Sequence, residues 1–488
     1  MWLKNLLAPF GVIKRTLCVA LLMALLSGCS TWRPWQNASL PAGHAAGGYR
    51  IDASPAAPIP AEALTVIVTF SGGGARAAAF GYGVLQELER QRFDWQGRQV
   101  SLLDEVDLIS GVSGGSIAAA YYTAFGKEAF FRDFRSDFLD RDFQRDLVAR
   151  TLRPGILQRL SSPWFGRGNV LMDRLDELFR GLTYGDLEKK RSGPYLLVNA
   201  TDLSTGSTFE FTQEQFDLIC SDLSSVPLSF AVASSSAVPI FLTPLALKNH
   251  AGKCPLRADA IPTYIGGNYR ARLLAARAAS YQDNVRRPFV HLVDGGLSDN
   301  LGIRQLIETE LARSRDANDQ NMSHIRKIVI ITVYAERSLG KQVDQSDAVP
   351  GDFEVLDALV HGTGSSRTTE TLELLADIVE QWRTEIGHSP AGNQDSRFGA
   401  EDVYFIPLSF GDVGDFAETD ALRAIPTSFS ISKPHLDQVL RAAQITLVNS
   451  CEFRRLIADL GVKARLSTLC RPHNKTPGAA EAKRKTAP

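Results

Sequence analysis

Gly111-Val112-Ser113-Gly114-Gly115 stands between a short apolar run, 106–110, and an Ala-rich segment, 116–125. A G-x-S-x-G pentapeptide between a strand and a helix is the pattern of a nucleophile elbow. The turn is sharp and lifts the serine hydroxyl above the sheet edge. Glycines flank it because side chains there would clash. Such an elbow works only in a chain that alternates strands and helices, and this chain does. Residues 64–70 (LTVIVTF), 195–201, 289–293, 327–333 and 403–408 are further strand-like runs, and 208–212 is placed to pair beside 195–201. Residues 75–92 have helical composition. Continuous apolar strands between helices predict an α/β fold with a mostly parallel sheet covered on both faces.

The chain has 488 residues, 44% of them hydrophobic, enough for a large core. Its 53 Lys+Arg against 54 Asp+Glu leave a net charge of −1. No global basic field favours nucleic acid as a partner. The composition excludes disorder or a coiled coil as a description of the whole.

Two further strand ends carry chemistry. Ser71-Gly72-Gly73-Gly74-Ala75-Arg76 follows the run 64–70 and opens a helix. Its glycines leave backbone N–H groups unshielded near a positive helix end, suited to a phosphate or a reaction oxyanion. It has neither P-loop nor dinucleotide-binding spacing. Asp294-Gly295-Gly296 follows the run 289–293, placing the Asp where open α/β sheets hold ligands. Read alone, this Asp is slightly better taken as a turn cap.

Triglycine loop, G-x-S-G-G and D-G-G, in that order, resemble the patatin-like phospholipase family. Thr201-Asp202-Leu203-Ser204-Thr205-Gly206, Ala233-Ser234-Ser235-Ser236-Ala237-Val238-Pro239 and the extended Asp294-Gly295-Gly296-Leu297-Ser298-Asp299-Asn300 resemble further stretches of it. The resemblance covers 64–335. It departs at Ser71, where the family often has Asp, and at Ala77, where it often has Gly.

The resemblance implies a patatin-like three-layer α/β/α sandwich and a Ser–Asp dyad, with Ser113 as nucleophile and Asp294 as base. Gly72, Gly73 and Gly74 would supply oxyanion N–H groups with Arg76 nearby, and Gly111, Gly115, Gly295 and Gly296 would support the turns. An ordinary Asp, near 3.9, is a weak base, and burial would strengthen it. The implied activity is cleavage of carboxylic esters of phospholipids or lysophospholipids, with no metal or cofactor. A neutral-lipid or thioester hydrolase and a non-catalytic envelope scaffold are the alternatives.

A Ser-His-Asp triad needs a His after the Asp. His324, His361, His388 and His435 satisfy the order, but none lies in a recognisable loop motif. His291 reads as structural. Ser116 reads as a helix-start residue rather than a nucleophile. Asp202 and Asp299 read as loop-holding side chains, with Asp202 a lesser candidate base.

The N-terminus reads as an export signal. Lys4, Lys14 and Arg15 precede an apolar run, 17–26, that is short for a membrane span. Leu26-Ser27-Gly28-Cys29 resembles the lipobox of bacterial lipoproteins, whose Cys is acylated; an ordinary signal peptide is the alternative. Ser30 after it implies sorting to the outer membrane. Residues 1–28 are thus expected to be removed. Residues 29–61 would form a lipid-anchored tether, 62–470 the acyl hydrolase domain, and 471–488 a disordered basic tail. Outside the cytoplasm, Cys220, Cys254, Cys451 and Cys470 suggest disulfides, and sequence-near pairing gives 220–254 and 451–470. Spacing with His does not suit a zinc site.

Phe130, Phe134 and Phe138 recur on one helix face, as a core stripe or the wall of an acyl channel. Residues 253–287 carry Arg257, Arg270, Arg272, Arg277, Arg286 and Arg287, on a solvated helix or one touching anionic head groups. The run 230–247 is too broken to cross a bilayer and reads as core near the site.

Overall fold

The computed structural model describes residues 31–40, 48–50, 63–190, 193–255, 269–312, 325–337, 347–388 and 402–462. The strands are β1 (Ala63–Phe70), β2 (Arg92–Trp95), β3 (Arg98–Ser101), β4 (Val106–Val112) and β5 (Tyr195–Asp202). They continue with β6 (Ser207–Glu210), β7 (Leu245–Lys248), β8 (Phe289–Val293), β9 (Ile325–Tyr334) and β10 (Val403–Ser409). Eight of them form one sheet in the order β10-β9-β1-β4-β5-β8-β7, with β6 paired to β5. The five from β10 to β5 are parallel. β6, β7 and β8 extend the sheet antiparallel. β2 and β3 make a separate hairpin.

Both faces of the sheet are covered, and β9 shows it residue by residue. Its Val329, Ile331 and Val333 join the large core that contains the helices Gly74–Arg90, Gly114–Phe134 and Lys433–Asn449. Its Ile328 and Ile330 join a second core with Ile307, Leu375 and Ile378. These come from the helices Arg304–Ala312 and Asp352–His388. Period-two alternation thus divides one strand between two layers of helices. In β1, Val66, Val68 and Phe70 are fully buried, each worth about 1.5–3 kcal/mol of apolar transfer.

The strands expected at 64–70, 106–110, 195–201, 289–293, 327–333 and 403–408 are all present, most of them slightly longer. The helix expected at 116–125 runs from Gly114 to Phe134 across a break at Gly126. Phe130, Phe134 and Phe138 stack on one another and are buried, so the stripe is core. The β2–β3 hairpin and β7 carry only four-residue strands, too short to leave a readable pattern.

The N-terminal stretch departs from a free tether. Trp32 packs edge-on against Phe165 with ring centroids 4.8 Å apart, and Trp35 against Phe230, also at 4.8 Å. Leu40 N–H donates to Cys220 O (2.8 Å), and Asp222 N–H to Ala38 O (3.2 Å). Tryptophans that find aromatic partners, with backbone pairing beside them, dock residues 31–40 onto the domain. Cys220 and Cys254 form a disulfide. Cys29, Cys470 and the tail 471–488 lie outside the described residues. No helix among the described residues is long and apolar enough to cross a membrane.

Candidate active site

Sheet register brings Ser113 and Asp294 together. Val112 pairs with Asn199 across β4 and β5, so Ser113 leaves the sheet level with Ala200. Val293 pairs with Thr201 across β5 and the antiparallel β8, so Asp294 also leaves at Ala200. The Asp is at the end of its strand as expected, but it arrives from the opposite direction to the parallel strands. It meets the elbow because β8 is displaced along β5.

Ser113 has φ +50° and ψ −125°, a left-handed backbone that a residue with a side chain rarely holds without support. The support is complete at the main chain. Its N–H donates to Ser235 Oγ (2.8 Å), and Ser235 donates onward to Asn199 O (2.6 Å). Its carbonyl accepts from Ser116 N–H (3.0 Å) and Ser116 Oγ (2.6 Å). Ser116 therefore serves the helix start. With both backbone groups tied, the hydroxyl is the group left for chemistry.

Asp294 is held in the same way. Its N–H donates to Ala237 O (3.0 Å), and its carbonyl accepts from Thr201 Oγ1 (2.8 Å). Oδ1 accepts from Gly296 N–H (2.8 Å), while Oδ2 is buried and has no hydrogen-bond partner among the described residues. Burial pushes the Asp294 carboxyl up from the ordinary 3.8 to about 6, against the opposing pull of Gly296 N–H and of the Ser113 hydroxyl.

The glycine loop closes the third side. A methyl added at Gly72 would stand 3.4 Å from Ser113 Cβ, and one at Gly114 would stand 2.0 Å from Gly74 O. Only glycines allow the two loops to approach this closely. Gly73 and Gly74 have φ of +140° and +61°. No acceptor among the described residues takes their N–H groups. Two expected oxyanion donors are otherwise engaged. Gly72 N–H donates to Asn300 O (3.2 Å) and Oδ1 (3.1 Å). Arg76 is buried with its guanidinium on the carbonyls of Ile425 and Ala335. It clamps the segment from Arg423 to Ile425, with the guanidinium close to Gly73. Gly111 packs on Ser116, Gly115 on Phe70 and Ser71, Gly295 on Asn199, and Gly296 near Asn300.

The remaining candidates hold loops. Asp202 accepts from Ser204 N–H (3.0 Å), Tyr281 Oη (2.8 Å) and Arg287 (2.6 Å). Asp299 accepts from Leu301 and Arg304 N–H. His291 lies on β8 with an exposed side chain, and His435 is half-buried in the first turn of its helix. His324 lies outside the described residues, as do the side chains of His361 and His388. Of the arginines in 253–287, Arg287 pairs with Asp202, Arg277 with Glu308 and Arg286 with Asp283. Arg257 lies outside the described residues. Sequence reasoning gave no role to Ser235, Asn199, Thr201 or Asn300. Three of them lie inside the family-like stretches, which was the available signal.

Fold and elbow define a three-layer α/β/α domain with an acid set against a strained serine. The model of the patatin-like phospholipase family matches residues 68–307, so this chain carries that family's domain. No curated protein matches the chain. Among solved structures it is similar to human GIVD cytosolic phospholipase A2 (14% identity, TM-score 0.40, 81% of this chain and 62% of that one). It is also similar to VipD from Legionella pneumophila (12% identity, TM-score 0.30, 82% and 67%). A third is the ExoU–SpcU complex from Pseudomonas aeruginosa (14% identity, TM-score 0.21, 64% and 52%). The chain thus spans 62% of the length of the human enzyme.

Proposed function

We propose that the protein is a lipid acyl hydrolase that cleaves carboxylic esters of phospholipids or lysophospholipids through a Ser113–Asp294 dyad. We also propose that it is exported and held at a bacterial outer membrane by acylation of Cys29. The observation that carries the catalytic reading is Asp294 Oδ2, a buried carboxylate oxygen without a hydrogen-bond partner among the described residues, at the same level of β5 as Ser113, whose two backbone groups are both tied.

Asp294 takes the Ser113 proton as Oγ attacks the ester carbonyl. The tetrahedral oxyanion is met by the open N–H groups of Gly73 and Gly74 at a helix N-terminus. The intermediate collapses, the ester C–O bond breaks, and Asp294 returns the proton to the leaving alcohol. Water, deprotonated by the same carboxylate, then attacks the acyl-serine, the acyl C–O bond breaks to release fatty acid, and Asp294 returns the proton to Ser113 Oγ. A polar cavity of about 230 Å³ is lined by Thr208, Ser298, Arg277, Arg304 and Arg367 together with Glu308 and Glu370.

The test is fatty-acid release from mixed phospholipid micelles by the purified protein, Ser113→Ala and Asp294→Asn. Release by the wild type that is lost in both variants supports the dyad. Equal release by Ser113→Ala would overturn it. No wild-type release from phospholipid, lysophospholipid, glyceride or thioester would move the reading to an envelope scaffold.

A further inference from the structure

Large apolar side chains are exposed together on one edge of the domain. Leu152 (65%), Leu157 (50%) and Trp164 (44%) lie on and beside the short helix Pro154–Leu160, which has no buried residue. Ile240 (56%) and Phe241 (46%) lie close by, because Arg167 donates to Ile240 O and Gly168 N–H to Thr243 Oγ1. Soluble surfaces scatter such residues singly, and a grouped patch marks a contact surface.

Ile240 has φ +72°, an outlier for a β-branched residue. The strain holds two large apolar side chains out of the core. Three residues earlier, Ala237 O accepts the Asp294 N–H. The patch therefore borders the catalytic edge of the sheet.

The charges around it are positive. Arg33, Arg153 and Arg167 have no carboxylate partner among the described residues, and Arg33 lies over the Trp164 ring at 3.8 Å. Arg159 covers Trp32 and has Asp173 at 3.5 Å. Aromatic and aliphatic side chains among cations are the composition of a surface that enters the head-group layer of an anionic bilayer. The N-terminal segment agrees, since Trp32 is docked on Phe165, directly behind Trp164. Cys29 lies three residues before Trp32, within about 11 Å of it in any conformation. An acyl chain at Cys29 would enter the bilayer at this patch.

We propose that the surface bearing Leu152, Leu157, Trp164, Ile240 and Phe241, rimmed by Arg33, Arg153 and Arg167, is the face that seats the domain on an anionic phospholipid bilayer. The catalytic edge is then turned to the lipid. The proposal rests on the lipid-hydrolase and anchor reading above and adds the orientation. Docking of residues 31–40 makes the anchor a short pin and not a long leash.

The experiment uses the full chain bound to vesicles of phosphatidylglycerol and phosphatidylcholine. Three quantities are read: turnover of a water-soluble short-chain ester, fatty-acid release from the vesicles, and tryptophan quenching by lipids brominated on the acyl chain. The double variant Leu157→Gln/Trp164→Gln should keep soluble-ester turnover and lose about tenfold or more of vesicle hydrolysis. Brominated lipid should quench the wild type more than Trp164→Phe. Equal quenching in those two proteins, or vesicle hydrolysis unchanged in the double variant, would overturn the proposal. Absence of soluble-ester turnover in the wild type would instead count against the hydrolase reading, and quenching would still decide the docking face.

Discussion

Replacing Asp294 by Asn should stabilise the protein while abolishing its chemistry. The carboxyl is buried, and its pKa rises from 3.8 to about 6 because water is excluded. Each unit is worth about 1.4 kcal/mol, so the ionised side chain costs about 3 kcal/mol of stability at neutral pH. The sign follows from proton binding. Between about pH 4 and 6 the folded chain keeps a proton that the unfolded chain has lost. Stability from this group is therefore full below 3.8, falls as pH rises through 6, and is flat above. The amide in Asp294→Asn carries no charge at any pH, keeps an acceptor for Gly296 N–H, and places an N–H donor where Oδ2 stood.

The assay is denaturant unfolding of wild type and Asp294→Asn from pH 4 to 8 with the disulfide intact. The stability difference should be near zero at pH 4 and reach about 1–3 kcal/mol in favour of the variant at pH 8. In the proposed mechanism the same ionisation governs catalysis, since only the carboxylate would accept the Ser113 proton. Wild-type kcat/KM should rise with pH to a midpoint of about 6 and then level, and the variant should lose about 10²–10⁴-fold. A stability difference that does not change with pH, or a less stable variant at pH 8, would refute the argument that burial alone drives the shift.

Four other outcomes follow from the contacts around the site. Ser235→Ala leaves Ser113 N–H without its acceptor, so it should lose about 1–3 kcal/mol and about 10- to 100-fold in kcat with little change in KM, read by melting and steady-state kinetics. Gly114→Ala drives a methyl to 2.0 Å from Gly74 O and should abolish activity, whereas Gly155→Ala meets nothing within 4 Å and should leave both melting and turnover unchanged. Arg76→Met strips the guanidinium from Ile425 and Ala335 carbonyls and should cost about 1–3 kcal/mol; a stable but inactive variant would return Arg76 to the oxyanion. Cys220→Ser opens a 34-residue loop and should cost about 3–4 kcal/mol by chemical denaturation.

The strands that proved legible are those buried on both faces. Residues 64–70 and 328–333 hold unbroken apolar or β-branched runs because parallel strands between two helical layers have no polar side. β7, by contrast, alternates Leu245, Ala246, Leu247 and Lys248 over four residues, and four residues do not define a period. Ser113 and the glycines around it were legible because local backbone geometry demands those residue types in sequence. Ser235, Thr201 and Asn199 act through contacts 36 to 122 residues away in sequence, and no local pattern encodes such a pairing. Trp32 and Trp35 were hidden by their Pro- and Ala-rich surroundings, which read as linker, although two tryptophans seldom stay in solvent.

The site is thus better described by what holds the two residues of the proposed dyad than by the residues alone. The stretch 201–206 and the stretch 233–239 contain no group that touches an ester in the proposed mechanism. Thr201 and Ala237 instead grip the two sides of the Asp294 peptide, and Ser235 grips Ser113. All of these contacts converge on Ala200, the level at which β4 and β8 both leave β5. Because β8 is antiparallel to β5, a slip of one residue between them would move Asp294 by about 3.4 Å and turn its side chain to the other face. The hydrogen-bonded neighbours are chemically ordinary and still indispensable, since a buried carboxylate and a left-handed serine persist only where the surrounding structure over-determines both.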